Sequence, residues 1–291
     1  MSVSATDVKK LRDATGAGMM DCKRALTETN GDIEKAVEYL RKKGIAKAEK
    51  KVSRETKDGL IHSYVKQGNQ LGVILEVNCE TDFVAKTDDF KNFVKNVSLH
   101  ISEKKPADKS ALLQQSFIND STKTIEEMQK ELIAKIGENI AIKRFERYES
   151  NDGLIDSYIH PGSKLGVLVE VSCNNHAVTQ SSELKSFIHD IAMQIAASNP
   201  LVVSRENLSP EIVEKEMNIY KSQAQDQKKP EHVAEKIALG KMEKFYQEVC
   251  LIEQSFIKDP NLTIRDLLKE LIGKMGETIT IKRFARFQLG A

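Results

Sequence analysis

Side chains that could do chemistry are scattered along this sequence instead of being grouped. The adjacent carboxylates Asp88–Asp89 and Glu126–Glu127 fall in segments with helical periodicity, where neighbouring side chains point apart. No nucleophile, base and orienting group share a motif. The histidines show none of the spacings that metal sites use; they are His62, His100, His160, His176, His189 and His232. The sequence therefore predicts no catalytic residue and no metal site.

Cysteine and glycine usage excludes two further kinds of site. The four cysteines lie far apart and form no Cys-x-x-Cys pair, so they are predicted to be reduced, buried thiols; they are Cys22, Cys79, Cys173 and Cys250. No phosphate-binding loop motif occurs. The segment 16–18 (GAG) lacks the third glycine and the preceding strand of a dinucleotide site. We therefore expect no cofactor.

An internal duplication organises most of the chain. Residues 58–84 match residues 152–178 at an offset of 94, with 14 identities in 27 positions. Residues 115–148 match residues 254–287 at an offset of 139, with 20 identities in 34 positions. Because the offset grows between the two blocks, the second copy contains 45 extra residues.

The two copies differ where the first block ends. Residues 80–84 read ETDFV in the first copy, whereas residues 174–178 read NNHAV in the second. A carboxylate and a large aromatic ring at only one of two equivalent positions indicate that these loops have diverged. A phenylalanine at a strand end is ordinarily a core residue. The residues alone therefore leave two interpretations of Phe83, a core residue or a contact residue.

Each copy predicts a small antiparallel sheet backed by helices. In the first copy, strands at 60–65 and 73–79 flank a polar turn at 66–70. Apolar residues at helical spacing follow at 88–100, and a helix at 125–136 precedes a strand at 140–145. The predicted fold class is α+β.

The first 43 residues predict three short helices. Thr6 and Asp7 offer an N-cap to the first helix, which ends at the 15–18 turn. Residues 30–32 (NGD) end the second helix and cap the third. The third carries an apolar stripe that should face its neighbours; its members are Ile33, Ala36, Val37 and Leu40. Such a bundle has little core and is expected to lean on a partner.

The 45 extra residues predict two antiparallel helices, the first starting at 208–210 (LSP) and the turn lying at 228–230 (KKP). This hairpin is either a spacer or an arm that binds a partner or dimerises, since a projecting hairpin exposes apolar side chains. The predicted domains are 1–45 (three helices), 46–57 (charged linker), and core subdomains 58–150 and 151–291. The hairpin falls at about 200–248.

Composition narrows the class of partner. Lys and Arg total 44 against 43 Asp and Glu, a net charge of +1, which provides no unbalanced cationic surface for nucleic acid. Tryptophan is absent and aromatics are 5%, which removes stacking platforms. No apolar run reaches the ~18 residues of a membrane helix, and the first seven residues lack secretory-signal features. We expect a cytoplasmic protein that binds neither nucleic acid nor a membrane.

Several motifs, in order along nearly the whole chain, resemble the bacterial translation elongation factor Ts family. They are residues 11–23 (LRDATGAGMMDCK), 30–32 (NGD), 78–84 (NCETDFV), 137–140 (GENI) and 276–279 (GETI). The resemblance implies a ubiquitin-associated-like (UBA-like) three-helix domain, followed by a two-subdomain core with a helical-hairpin, coiled-coil dimerisation arm. It also implies a homodimer, or a 2:2 complex with the partner protein, through this arm.

The resemblance also implies an activity without covalent chemistry. Family members promote guanine nucleotide exchange on elongation factor Tu by pressing one loop into its nucleotide domain, where the magnesium site is disturbed and GDP leaves. The residues that match this loop are Thr81, Asp82, Phe83 and Val84. Further contacts are implied for Arg12, Met19 and Met20 in the N-terminal domain and for His160 in the second repeat. The second repeat, which lacks the loop residues, would supply a supporting surface.

A different class of function stays open beside the exchange factor. The same chain could be a translation-associated interaction scaffold that binds elongation factor Tu without accelerating GDP release. An enzyme is the weakest hypothesis, because no constellation of residues favours one.

Overall fold

The computed structural model describes residues 3–226 and 230–290, which fold into mixed α+β structure, as predicted. Two residues of the predicted 228–230 turn lie outside this part of the chain. Contacts divide the chain into two compact units. The first contains the segment that ends at His62, Leu75–Phe145 and the residues from Leu289 onwards, and the second contains Ser63–Ile74 and Glu146–Gln288.

Three helices begin the first unit: α1 (Ala5–Thr15), α2 (Met19–Glu28) and α3 (Ile33–Glu49). The N-cap of α1 is Ser4, whose hydroxyl oxygen accepts a hydrogen bond from the Asp7 backbone N–H at 3.0 Å. The predicted N-cap at Thr6 or Asp7 was therefore wrong, because Asp7 lies in the first turn and its carboxylate bonds back to the Ser4 hydroxyl. The predicted cap of α3 is confirmed, since the Asp32 side chain accepts from the Lys35 backbone N–H.

The first repeat follows, and its central strand is buried throughout. Its elements are β1 (Asp58–Val65), β2 (Leu71–Cys79), α4 (Asp82–Ala85), α5 (Asp88–Lys104), α6 (Lys109–Gln114), β3 (Ser116–Phe117), β4 (Asp120–Thr124), α7 (Ile125–Ile136) and β5 (Ile140–Glu149). The strand β2 lies between β1 and β5, and all nine of its residues are buried. Even the polar Glu76 is buried, where the Arg144 Nε of β5 donates to its Oε2 at 2.7 Å.

The second repeat, in the second unit, has the elements β6 (Gly153–Ile159), β7 (Leu165–Cys173), α8 (His176–Thr179), α9 (Ser182–Ser198), α10 (Pro210–Asp226), α11 (Glu231–Val249), β8 (Ser255–Phe256), β9 (Asp259–Thr263), α12 (Ile264–Met275) and β10 (Ile279–Gln288). Their order is the same as in the first repeat, except that α10 and α11 stand where the first repeat has α6. The central β7 pairs antiparallel with β6 and β10. Helices α9 and α12 cover its apolar side. The predicted small antiparallel sheets are thus confirmed.

The duplication extends to individual polar contacts. Each repeat buries a central-strand glutamate against an arginine of its last strand, at 2.7 Å in both cases: Glu76–Arg144 and Glu170–Arg283. Each repeat also opens its last helix with a threonine capping box: Thr124–Glu127 and Thr263–Asp266. Both contacts occur in the two repeats alike, although only the first repeat carries a phenylalanine at the end of the central strand, so they belong to a shared scaffold and not to a shared site.

The extra residues of the second repeat are mainly α10 and α11, which pack along each other. The Lys241 Nζ donates to the Gln223 Oε1 at 2.6 Å, and buried Ala224, Ala238 and Met242 lie on these helices. At their base, the Arg205 guanidinium donates to both carboxylate oxygens of Glu253 and of Glu243. A binding or dimerising role for these helices stays a prediction.

The third helix differs from its prediction in two ways. Of its predicted stripe, Ala36 is buried in the three-helix core, but Ile33 and Val37 are exposed. Val37 borders a cleft of 480 Å³ against α5 and α7. The helix also continues to Glu49, four residues into the predicted 46–57 linker, because Ala46 and Ala48 favour helix and Glu49 pairs with Lys130 of α7. The domain boundaries themselves stay predictions.

His100 and Gln194 occupy equivalent positions on α5 and α9. The His100 Nε2 lies 2.9 Å from the Gln115 Oε1, and the Gln194 Nε2 donates to the Gln254 Oε1 at 3.2 Å. His100 is fully buried, and its Nδ1 has no hydrogen-bond partner among the described residues. Burial lowers the pKa of His100 because the charged imidazolium loses its hydration.

We expect His100→Gln to reduce the loss of stability in mild acid. A histidine whose pKa is lowered by folding binds protons more readily in the unfolded chain, so stability falls as the pH drops below about 6.5. Chemical denaturation from pH 7.5 to 5.5 should show the free energy of unfolding falling less in the variant than in the parent, by at most about 1.4 kcal/mol, which is the limit that one pH unit below 6.5 sets. His62 is present in both proteins and cancels. Equal losses would contradict the prediction.

Candidate functional site

The residues ETDFV form a single helical turn where β2 ends. Thr81 caps this turn, α4, because its hydroxyl oxygen accepts from the Val84 backbone N–H at 3.4 Å. The preceding Cys79 is buried, which raises the pKa of its thiol to about 12, and its Sγ lies 3.1 Å from the Thr81 carbonyl oxygen. The thiol therefore stays protonated and holds the start of the turn. All four cysteines are buried and free, as predicted.

Phe83 lies in solvent, with 78% of its surface exposed, whereas Val84 is buried. The interpretation of Phe83 as a core residue is therefore wrong, because on one helical turn adjacent side chains point apart and Val84 takes the inward position. Covering a phenylalanine side chain contributes about 2 to 3 kcal/mol. That contribution is not realised among the described residues, so the ring is available to another molecule.

Charged groups surround the ring. The Lys86 Nζ donates to the Asp82 Oδ2 at 2.6 Å and lies 6.0 Å from the centre of the Phe83 ring. The Lys86 side chain is 72% exposed and the Asp82 side chain 45% exposed, and an ion pair this open to solvent contributes little to stability. The turn can therefore present a carboxylate and an aromatic ring to another molecule at small cost.

Glu138 anchors the turn from the far end of the repeat. Its Oε2 accepts from the Thr81 backbone N–H at 3.0 Å, and its Oε1 accepts from the Thr81 hydroxyl at 2.8 Å. Glu138 follows Gly137, the C-cap of α7, whose φ of 92° suits glycine. Both oxygens of one carboxylate are thus bonded to one residue of the candidate site.

The neighbouring Asn139 continues this network. Its backbone N–H donates to the Glu80 Oε1 at 2.6 Å, and its side-chain amide donates to the carbonyl oxygens of Val52 and Arg54 at 3.1 and 2.8 Å. The Lys51 Nζ donates to the Gly137 carbonyl oxygen. Part of the predicted linker is therefore bonded to residues 137–139, the same segment that anchors the turn of the candidate site.

Sequence reasoning missed these supporting residues. The family motifs include Glu80, Glu138 and Asn139, but no residue pattern predicts that these three lie close together. The available signal was the repeated Gly-Glu pair at 137–138 and 276–277, which places a glutamate after the αL cap of the last helix in both repeats.

The second repeat keeps the anchor and lacks the ring. Asn175 caps α8, since its side chain accepts from the Ala177 backbone N–H at 3.0 Å, and its amide donates to the Glu277 Oε1 at 2.8 Å. Ala177 occupies the position equivalent to Phe83 and is exposed. The second repeat thus offers the same support with no aromatic side chain on it.

The other predicted contact residues are also at the surface. Met19 and Met20 begin α2 with 50% and 70% of their surfaces exposed, and Arg12 is exposed on α1. These three lie in the first unit, as Phe83 does, whereas His160 lies in the second. His160 is exposed after β6, and its Nδ1 lies 3.0 Å from the Tyr158 hydroxyl.

Two kinds of feature were not found within residues 3–226 and 230–290. No helix there has both the length and the apolar character to span a bilayer. No three His, Cys, Asp or Glu side chains there converge in a way that could hold a metal ion.

Comparisons with known proteins show which family the sequence matches. The family model described as elongation factor TS matches residues 80–291, which include both Phe83 and the second repeat. The elongation factor Ts of Trichlorobacter lovleyi is 43% identical over 290 residues, covering 100% of this chain and 93% of that protein. The elongation factor Ts of Clostridium kluyveri is 46% identical over 288 residues, covering 99% and 93%.

That of Aquifex aeolicus is 46% identical over 295 residues, covering 100% of this chain and 99% of that protein. Similarity of this extent spans the three helices, both repeats and the extra helices of the second repeat. The chain belongs to the elongation factor Ts family.

Proposed function

We propose that this protein promotes the release of GDP from elongation factor Tu so that GTP can bind, without covalent chemistry. The observation that carries the proposal is the exposed Phe83 on an anchored helical turn, at the position where the family resemblance implies contact with the nucleotide domain of elongation factor Tu. We expect this action in the cytoplasm.

The thermodynamic basis is linkage. If the factor binds nucleotide-free elongation factor Tu more tightly than the GDP form, GDP must bind the factor-bound form more weakly by the same ratio. Each 1.4 kcal/mol of this coupling lowers the affinity for GDP about tenfold. Differential binding is therefore sufficient for exchange, and no catalytic residue is needed.

The four predicted loop residues divide into two roles. Asp82 and Phe83 face solvent and would enter the partner, where a carboxylate and a ring can shift the magnesium ion or its ligands and leave phosphate charge uncompensated. Burying the ring would contribute about 2 to 3 kcal/mol toward this distorted state. Thr81 and Val84 hold the turn, the first as its cap and the second as its inward anchor.

The remaining contacts would supply affinity away from the magnesium site. Methionine side chains are flexible and polarizable, so exposed Met19 and Met20 suit a partner surface that changes shape. Arg12 and His160 would add polar contacts. The three helices that carry the first contacts would form the UBA-like domain.

The extra helices are proposed as the dimerisation arm. Ile212 and Ile219 on α10 and Leu239 on α11 are exposed, and such side chains could be covered in a homodimer or a 2:2 complex. The solution mass of the protein alone and with elongation factor Tu would test this part, and a monomer in both samples would contradict it.

We expect Asp82→Ala combined with Phe83→Ala to slow factor-stimulated release of labelled GDP by about 30- to 160-fold, the equivalent of losing 2 to 3 kcal/mol. The variant should fold normally, because neither side chain is buried. The matched control is Ile257→Ala, which removes another exposed apolar side chain and should leave the rate unchanged.

Two outcomes would contradict this proposal. Unchanged stimulation by the double variant would remove the turn from the mechanism. If the unmodified protein binds elongation factor Tu and never accelerates release, the interaction scaffold would be the better hypothesis.

We expect Met19→Ala combined with Met20→Ala to act differently. These side chains would contribute binding to every state of the partner, so their loss should raise the half-saturating concentration of factor about tenfold and leave the maximal release rate unchanged. A titration of factor in the release assay separates the two parameters. A lower maximal rate at unchanged half-saturation would show that the methionines act on the nucleotide site instead.

A further inference from the structure

We propose that Glu138 is the residue that positions Phe83: its carboxylate fixes the turn α4 in the orientation that exposes the ring. This inference rests on the proposed function for its activity readout, and on the structure alone for a second readout. Glu138 lies 57 residues from Thr81 in sequence and contacts neither the ring nor, in the proposal, the nucleotide site.

The first step is the number of acceptors. Thr81 points two donors, its backbone N–H and its hydroxyl, at separate oxygens of Glu138, at 3.0 and 2.8 Å. A carboxylate is acceptor-only and can satisfy both donors, whereas the amide of glutamine supplies one acceptor oxygen. Glutamine at this position cannot offer each donor its own oxygen: the two donors would have to share one oxygen, or the Thr81 hydroxyl would have to turn and accept from the amide.

The second step is the direction of the Thr81 hydroxyl. A hydroxyl carries one hydrogen and two lone pairs; that of Thr81 donates its hydrogen to Glu138 and accepts from the Val84 backbone N–H, at 3.4 Å. The anchor thus fixes the direction in which the capping oxygen of α4 points. A helix of four residues is far below the length that is stable by itself, so its orientation is set by these side-chain contacts.

The third step is that the anchor is itself fixed. Glu138 stands between the αL residue Gly137 and Asn139, whose backbone and side chain make three hydrogen bonds to Glu80, Val52 and Arg54. The carboxylate is therefore held from both sides of its own backbone. A fixed acceptor pair can hold the Phe83 turn in one orientation.

The second repeat provides a matched comparison within the chain. Glu277 occupies the equivalent position after Gly276 and accepts from the Asn175 side-chain amide at 2.8 Å. The anchored turn carries Ala177 in place of Phe83. A general contribution of this glutamate to folding should be similar in both repeats, whereas positioning of Phe83 belongs to Glu138 alone.

The experiment compares Glu138→Gln with Glu277→Gln in the full-length protein, using labelled GDP release from elongation factor Tu over a titration of factor. We expect Glu138→Gln to lower the maximal release rate about tenfold and to change the half-saturating concentration less than twofold, because the distant contacts remain. Glu277→Gln should leave both parameters unchanged. When Phe83→Ala itself slows release, equal effects of the two variants, or no effect of Glu138→Gln, would overturn the inference.

A second readout needs no partner. Amide hydrogen exchange at Thr81 and Val84 should become at least tenfold faster in Glu138→Gln, and Thr81→Val should reproduce the Val84 effect, because it removes the same hydroxyl. Thr81→Ser, which keeps the hydroxyl, should behave like the parent. Unaltered exchange at both amides in Glu138→Gln would overturn the inference even if release were slower.

The two readouts also separate this inference from the proposed function. If Glu138→Gln speeds amide exchange at Thr81 and Val84 while Phe83→Ala leaves GDP release unchanged, positioning stands and the proposed function fails. If Phe83→Ala slows release and Glu138→Gln alters neither readout, the proposed function stands and positioning fails.

Discussion

Burial of the central strand on both faces is the constraint from which the rest of each repeat follows. All nine residues of β2 are buried, so its polar side chains need partners inside the protein. Glu76 finds Arg144 on the adjacent strand, and Glu170 finds Arg283 in the second repeat. Removing the arginine would leave a buried carboxylate without its partner, which would cost about 3 kcal/mol or more. The pairing therefore keeps the last strand beside the central one, and it keeps the turn before that last strand next to the end of the central strand.

This arrangement explains how one duplicated scaffold can carry a site in a single copy. In both repeats a short capped turn follows the central strand, and the residue that caps it is hydrogen-bonded to a glutamate that follows the last helix. The anchor and the cap sit on the scaffold, whereas the exposed position of the turn is free to vary between Phe83 and Ala177. Because the exposed side chain contributes little to folding, the residue at this position can change to suit a partner without loss of stability.

The sequence predicted the elements well and their side-chain contacts poorly. Period-two and period-3.6 patterns located β2, α5 and α7, since such patterns record burial that local segments share. The exposure of Phe83 was not predictable from spacing, because on a single turn it depends on which way the cap is held, and Glu138 holds it from 57 residues away. The charged 46–57 segment was likewise predicted to be a linker because its contacts are with residues distant in sequence. Its attachment to Asn139 uses backbone carbonyl groups, which no residue pattern reveals.

That attachment bears on how the proposed exchange would work. Val52 and Arg54 follow α3 and are bonded to Asn139, and Arg41 of α3 donates to Glu131 of α7 at 2.9 Å. Within the first unit, α2, which carries Met19 and Met20, packs on α3, and α3 is held to the elements that anchor the turn of Phe83. A fixed connection brings Phe83 to the nucleotide site in the same binding event that engages Met19 and Met20, whereas a flexible tether would let each surface bind independently. The distant contacts can therefore supply affinity in every state of the partner, while only the turn of Phe83 acts on the nucleotide site.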